Sequence, residues 1–178
     1  PETENSSADK DTSAPVQTVD WNTVTSNVQA KIAEVTQNPN INSVNMNIVC
    51  SGETRLPAAV LGSIKGSDMT LALHSGNGVA VSISGQDLKG TALNALQNID
   101  LTVDSNAQNI PAAIAASKKA EATKQLSVKD TGAFPVAVNI HVNVGAENSG
   151  KYANLYRYNV EKKQLEYCGS FPVTRNGQ

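Results

Sequence analysis

The stretch that most restricts the fold is Met69–Ser84, MTLALHSGNGVAVSIS. Met69, Leu71 and Leu73 alternate with Thr70, Ala72 and His74. Val79, Val81 and Ile83 alternate with Ala80, Ser82 and Ser84. Alternation with period two sends one set of side chains to a core and the other to solvent, so both runs read as strands. Between them lies Ser75-Gly76-Asn77-Gly78, whose residues tolerate positive φ. The stretch predicts an antiparallel hairpin.

An approximate echo stands 54 residues on: Leu56-Pro57-Ala58-Ala59-Val60 returns as Ile110-Pro111-Ala112-Ala113-Ile114. The first copy leads through a short helix, Pro57–Lys65, into the hairpin. The second leads through an Ala- and Lys-rich helix, Pro111–Ala122, to Lys124–Lys129, a turn at Asp130-Thr131-Gly132, and a strand over Phe134–Val144. The expectation is a helix-then-hairpin unit used twice, with Lys124–Lys129 paired to Phe134–Val144.

The rest of the chain supplies fewer elements. In Asp20–Gln37, residues Trp21, Val24, Val28, Ile32 and Val35 form one apolar helical stripe, with Asp20 or Thr18 to cap it and Pro39 beyond its end. Trp21 reads as a core anchor. Asn42–Ser51 and Ile99–Val103 read as strands, and Gln86–Asn98 as a loop with a helical turn. Tyr152–Val160 and Gln164–Phe171 form a last hairpin, turning at Glu161-Lys162-Lys163. Pro1–Gln17 has four acids, one lysine and no apolar period, which predicts a disordered linker. Residues 18–178 are one β-rich module. The Asn176-Gly177 turn signal so near its end suggests that a last strand is lacking.

Aromatic residues are only 4% of the chain, so the core is built of Val, Ile, Leu and Ala. The fold class expected is α+β: an antiparallel, β-sandwich-like domain with an N-terminal amphipathic helix and short flanking helices. The net charge is −2, and without the acidic linker it is near +1. No basic patch points to nucleic acid, and no apolar run reaches the roughly 18 residues of a membrane span.

Cys50 and Cys168 are the two cysteines. In an oxidising compartment a disulfide between them would close a long loop and add roughly 4–5 kcal/mol in the chain-entropy picture. The alternative is two thiols that never meet. No C-x-x-C or H-x-x-x-H spacing occurs, so no metal site or cofactor is expected. Asp130-Thr131-Gly132-Ala133 matches an aspartic-protease loop, but Lys129 precedes it and Asp-x-Gly is ordinary turn chemistry. Ser7-x-x-Lys10 lies in the linker. His74 and His141 occupy polar-facing strand positions with no acid or nucleophile beside them in sequence. None of these makes an enzyme. Tyr152, Tyr156 and Tyr158 share one face of the last hairpin, joined in the cluster by Tyr167. Such a face can stack on sugar rings or close the edge of a sheet.

The runs LPAAVLGSIKGSDMTLALHSGNGVAVSISGQDL, IPAAIAAS and GKYANLYRYNVEKKQLEY resemble an uncharacterised module repeated in secreted and cell-surface proteins of anaerobic Gram-positive (Clostridia-type) bacteria. That module often stands beside dockerins or surface-layer anchoring domains. The resemblance runs from about Trp21 to the end and is most distinctive at Ala153-Asn154-Leu155-Tyr156, Tyr158-Asn159 and Leu165-Glu166. Where the family commonly carries a tryptophan after the Gly-Asn-Gly turn, this chain has Ala80 and Val81, and Ala133-Phe134-Pro135 replaces a usual Gly-Phe pair. The resemblance implies an extracellular or cell-surface address, a strand following Asn176-Gly177, and no catalytic residue. The expected role is a non-catalytic structural or interaction module with surface proteins, scaffold proteins or polysaccharide as partners. The alternative is a carbohydrate-binding module using the tyrosine face.

Overall fold

The computed structural model describes residues 19–38, 43–50, 54–118, 120, 123–129, 134–175 and 177. The linker, Asp130-Thr131-Gly132-Ala133 and Asn176 lie outside them. The architecture is mixed α/β, with several antiparallel strand pairs and three α-helices among the described residues.

Helix α1 spans Trp21–Gln37. Asp20 caps it: its carboxylate accepts from the backbone N–H groups of Asn22 at 3.0 Å and Thr23 at 3.4 Å, donors that have no partner within the helix, and from the Thr23 hydroxyl at 2.6 Å. The stripe read from sequence is the buried face. Val28 is fully buried, and Trp21, Val24 and Ile32 pack against the core.

The main sheet has the order β1-β3-β4-β8, from β1 (Val44–Val49), β3 (Met69–His74), β4 (Val79–Ser84) and β8 (Asn139–Val142). The hairpin β3–β4 forms as expected, with Leu71 opposite Ile83 and Leu73 opposite Val81. Its turn uses positive φ at Gly76 and Gly78, +73° and +78°. The Asn77 side chain ties the turn to the neighbouring layer by donating to the Val103 carbonyl at 2.9 Å.

Three expectations are corrected. First, β1 runs parallel to β3. The chain between them passes through β2 (Arg55–Leu56) and helix α2 (Ala58–Ile64), a crossover of the kind that parallel neighbours require. Second, the Lys124–Lys129 and Phe134–Val144 segments do not pair with each other. Within them, β7 (Ser127–Val128) joins β6 (Val103–Asp104), and β8 joins β4. On the edge of β4, Val79 and Val81 stand opposite Val142 and Ile140 of β8, while Leu126 and Val128 of the expected partner pack against the core. The repeated unit therefore ends with its helix. Third, the strand over Ile99–Val103 is split. β5 (Ile99–Asp100) pairs with β2, β6 pairs with β7, and the chain turns between them where Thr102 N–H bonds to the Asp100 carboxylate. Helix α3 is also shorter than its Ala-rich stretch, at Ala112–Ala116.

The inner face of the sheet carries Met46, Ile48, Met69, Leu71, Leu73, Val79, Val81 and Ile83. It meets α1, α2 and the β5–β6 layer through Val28, Val60, Leu61, Ile64, Leu88, Ile99, Leu101 and Val103. The opposite face is uncharged and mostly polar. It carries Asn45, Asn47, Thr70, His74, Ser82, Ser84, Asn139 and His141, interspersed with Ala72, Ala80 and the exposed Val49, without a charged side chain.

Candidate functional site

The second half of the chain carries a long hairpin, β9 (Tyr152–Asn159) and β10 (Gln164–Pro172), which among the described residues pair only with each other. Aromatic and apolar residues at alternate positions favour the strands. The Asn159 side chain, accepting from the Lys162 N–H at 2.9 Å, shapes the turn, and Lys163 takes the left-handed conformation with φ +50°. A bulge at Cys168 separates the Tyr156–Tyr167 pair from the Leu155–Gly169 pair, so one extra residue re-aims the end of β10.

With that register, one face carries Tyr152, Asn154, Tyr156 and Tyr158 on β9, and Leu165, Tyr167, Ser170 and Pro172 on β10. The three tyrosines picked from sequence do share a face. Their exposure differs, however: Tyr152 is 70% exposed, while Tyr156 and Tyr158 are half-buried. Tyr156 meets Tyr167 edge-on, ring centroids 5.6 Å apart, a favoured aromatic geometry. Lys118, just after α3, holds its ammonium 4.9 Å from the centre of the Tyr156 ring. The second open ring of the face is therefore Tyr167, 61% exposed. Sequence spacing could not assign Tyr167 to this face, because the register across the hairpin sets its side. Nothing in the Ala/Lys-rich run singles out Lys118.

The other face carries Leu155, Arg157, Glu166 and Phe171. Glu166 accepts from Arg157 at 2.7 Å, Asn159 at 2.8 Å and Lys162 at 3.4 Å. The Arg157 hydrogen bond is the main cause, with Asn159 and Lys162 assisting, that lowers its carboxyl to about 2. A depressed carboxylate supports the hairpin above its unfolded value, and that support is lost as pH falls through the folded value. A carboxyl-carbon NMR titration should therefore place the Glu166 midpoint at about 2. Arg157→Gln should raise it towards the ordinary glutamate range, and a midpoint unmoved by that substitution would show that the pair is not formed in solution.

Cys50 and Cys168 are free thiols in this fold, the second of the two alternatives for the pair. Cys50 is buried at the end of β1, 3% exposed, with its N–H bonded to the His74 carbonyl at 2.8 Å. Cys168 is exposed on the bulge. The core holds one thiol and the outer hairpin displays the other. Burial pushes the Cys50 thiol upward, with a smaller opposing contribution from the Thr54 hydroxyl. An aromatic disulfide reagent should label one thiol, Cys168, in the native protein and Cys50 only after unfolding. A native protein in which neither thiol reacts would restore the bridge.

His74 and His141 come together on the outer sheet face, flanking Ala80 from either side. The His74 Nε2 donates to the Asn47 side-chain oxygen at 3.0 Å, and His141 Nε2 shares a hydrogen bond with Ser82 Oγ at 3.1 Å. Ser82 lies in a strand laddered on both sides, and its hydrogen bond with His141 links β4 to β8. The described residues contain no group of three or more His, Cys, Asp or Glu side chains placed to hold a metal, and no helix among them is long and apolar enough to cross a membrane.

No protein-family model, curated protein or solved structure matches the chain significantly.

Proposed function

We propose that the chain is a non-catalytic structural or interaction module of an extracellular or cell-surface bacterial protein. The observation that carries this reading is where the open apolar surface lies. Of the seven exposed large hydrophobic side chains among the described residues, five (Tyr152, Leu155, Val160, Tyr167 and Phe171) belong to the β9–β10 hairpin. A lone two-stranded hairpin is marginal in water, and clustered exposed apolar groups mark surfaces that meet a partner. The partners in this reading are other surface or scaffold proteins. The uncharged polar composition and the likeness to secreted modules favour the address. The neutral outer face of the sheet is the side on which a second layer would complete a sandwich.

A second reading, a carbohydrate-binding module, is favoured by one specific feature. Tyr152 and Tyr167 are open rings on a face whose intervening residues, Asn154 and Ser170, are neutral hydrogen-bonding groups. Affinity electrophoresis against starch, cellulose, xylan, mucin and cell-wall glycan tests both readings. Retardation lost on combining Tyr152→Ala with Tyr167→Ala, with an unchanged circular dichroism spectrum, selects the glycan reading. Absence of retardation in every gel selects a protein partner. Release of reducing ends from any of these polymers would sink the non-catalytic reading.

A further inference from the structure

The tyrosine face has a charge character that its residue types alone do not reveal. None of its eight strand residues is acidic. The two acids of the hairpin are elsewhere: Glu161 is in the turn, and Glu166 is on the opposite face, neutralised by Arg157 and Lys162. Lys118 brings a cation over the Tyr156 ring, and among the described residues it has no carboxylate within ion-pair distance. One side of the ammonium rests on the aromatic ring and the other is open, since Lys118 is exposed. A cation held against a ring is positioned at lower entropic cost than a free lysine. It stands at the Tyr156–Tyr167 pair, whose rings touch, while Tyr152 lies four residues back, roughly 13 Å from Tyr156 along β9. This arrangement suits a short oligosaccharide that spans both open rings and carries an anionic group beside the Tyr167 end.

We infer that this face binds a carboxylate-bearing polysaccharide, a polyuronate, with Tyr152 and Tyr167 stacking on sugar rings and Lys118 pairing with a uronate carboxylate. This rests on the carbohydrate reading above and narrows it to a ligand class. Complementary charge contributes specificity more than bulk affinity, so the inference predicts discrimination between charged and neutral forms of one polymer.

Polygalacturonate and its fully methyl-esterified form share a backbone and differ in charge. The native protein should bind the de-esterified chain roughly tenfold more tightly at low salt, with the preference shrinking as salt rises. Lys118→Gln should abolish the preference while leaving binding of the esterified chain intact. Tyr152→Ala should weaken both, and because that ring is 70% exposed the fold should survive its loss. Equal binding of the two forms, or a preference that persists in Lys118→Gln, overturns the polyuronate assignment and leaves the carbohydrate reading standing. Failure to bind either form overturns the assignment, and if every neutral polysaccharide above is also unbound the carbohydrate reading falls with it.

Discussion

Gly85→Ala should destabilise the domain by roughly 3–5 kcal/mol, enough to unfold much of a marginally stable protein at physiological temperature. A Cβ at this position would lie 2.1 Å from the Ile64 carbonyl oxygen, 2.7 Å from that of Ser67 and 2.9 Å from Ser67 Oγ. Two of these are backbone atoms fixed by the end of α2 and the turn after it, so no rotamer change relieves the clash. Gly85 also sits at a hydrogen-bonded junction. Its N–H donates to the Met69 carbonyl at 2.8 Å, and its carbonyl accepts from Gly66 N–H at 2.7 Å. Relieving the overlap would pull the end of β4 away from both α2 and the start of β3. Gly90→Ala, where an added Cβ meets nothing within 4 Å, is the matched control and should be close to neutral. Urea unfolding followed by far-ultraviolet circular dichroism distinguishes the two. Comparable midpoints for both variants would mean that the α2–β4 junction is looser than described.

Leu71→Ala should cost about 2–5 kcal/mol, the range for emptying a well-packed aliphatic site. Leu71 is fully buried on the inner face, between Met46 on β1 and Ile83 on β4. Its neighbours are held in a four-stranded ladder and cannot collapse into the space. Thr70→Ala, the next residue along and on the outer face, removes no core volume and should cost under about 1 kcal/mol. The difference tests the face assignment directly. If Thr70→Ala unfolds at a lower denaturant concentration than Leu71→Ala, the inner and outer faces of the sheet have been exchanged.

Local pattern and tertiary choice divide cleanly along this chain. Asp20, the Trp21–Val35 stripe, the Met69–Ser84 alternation and the last hairpin were all legible, because each is set by interactions between residues near in sequence: a cap, an apolar period, a glycine turn. The buried face of α1 and the inner face of β3–β4 follow from those periods alone. The shared face of Tyr152, Tyr156 and Tyr158 follows in the same way, since strand parity needs no partner. The two hairpins closed by local turns pair as read, β3 with β4 and β9 with β10; what failed was the pairing of strands not joined by such a turn. Phe134–Val144 was expected to fold back on Lys124–Lys129, yet β8 pairs with β4 and β7 with β6, because pairing depends on which strand edges the tertiary fold brings together, and no local turn decides that. The parallel placement of β1 beside β3 likewise depends on a crossover that no local signal marks. The candidate site divides along the same line. Its tyrosines are a sequence property. The exposure that makes Tyr152 and Tyr167 its open rings, the bulge at Cys168, and the approach of Lys118 from the third helix belong to the tertiary structure, since each depends on contacts between segments that sequence spacing leaves unrelated.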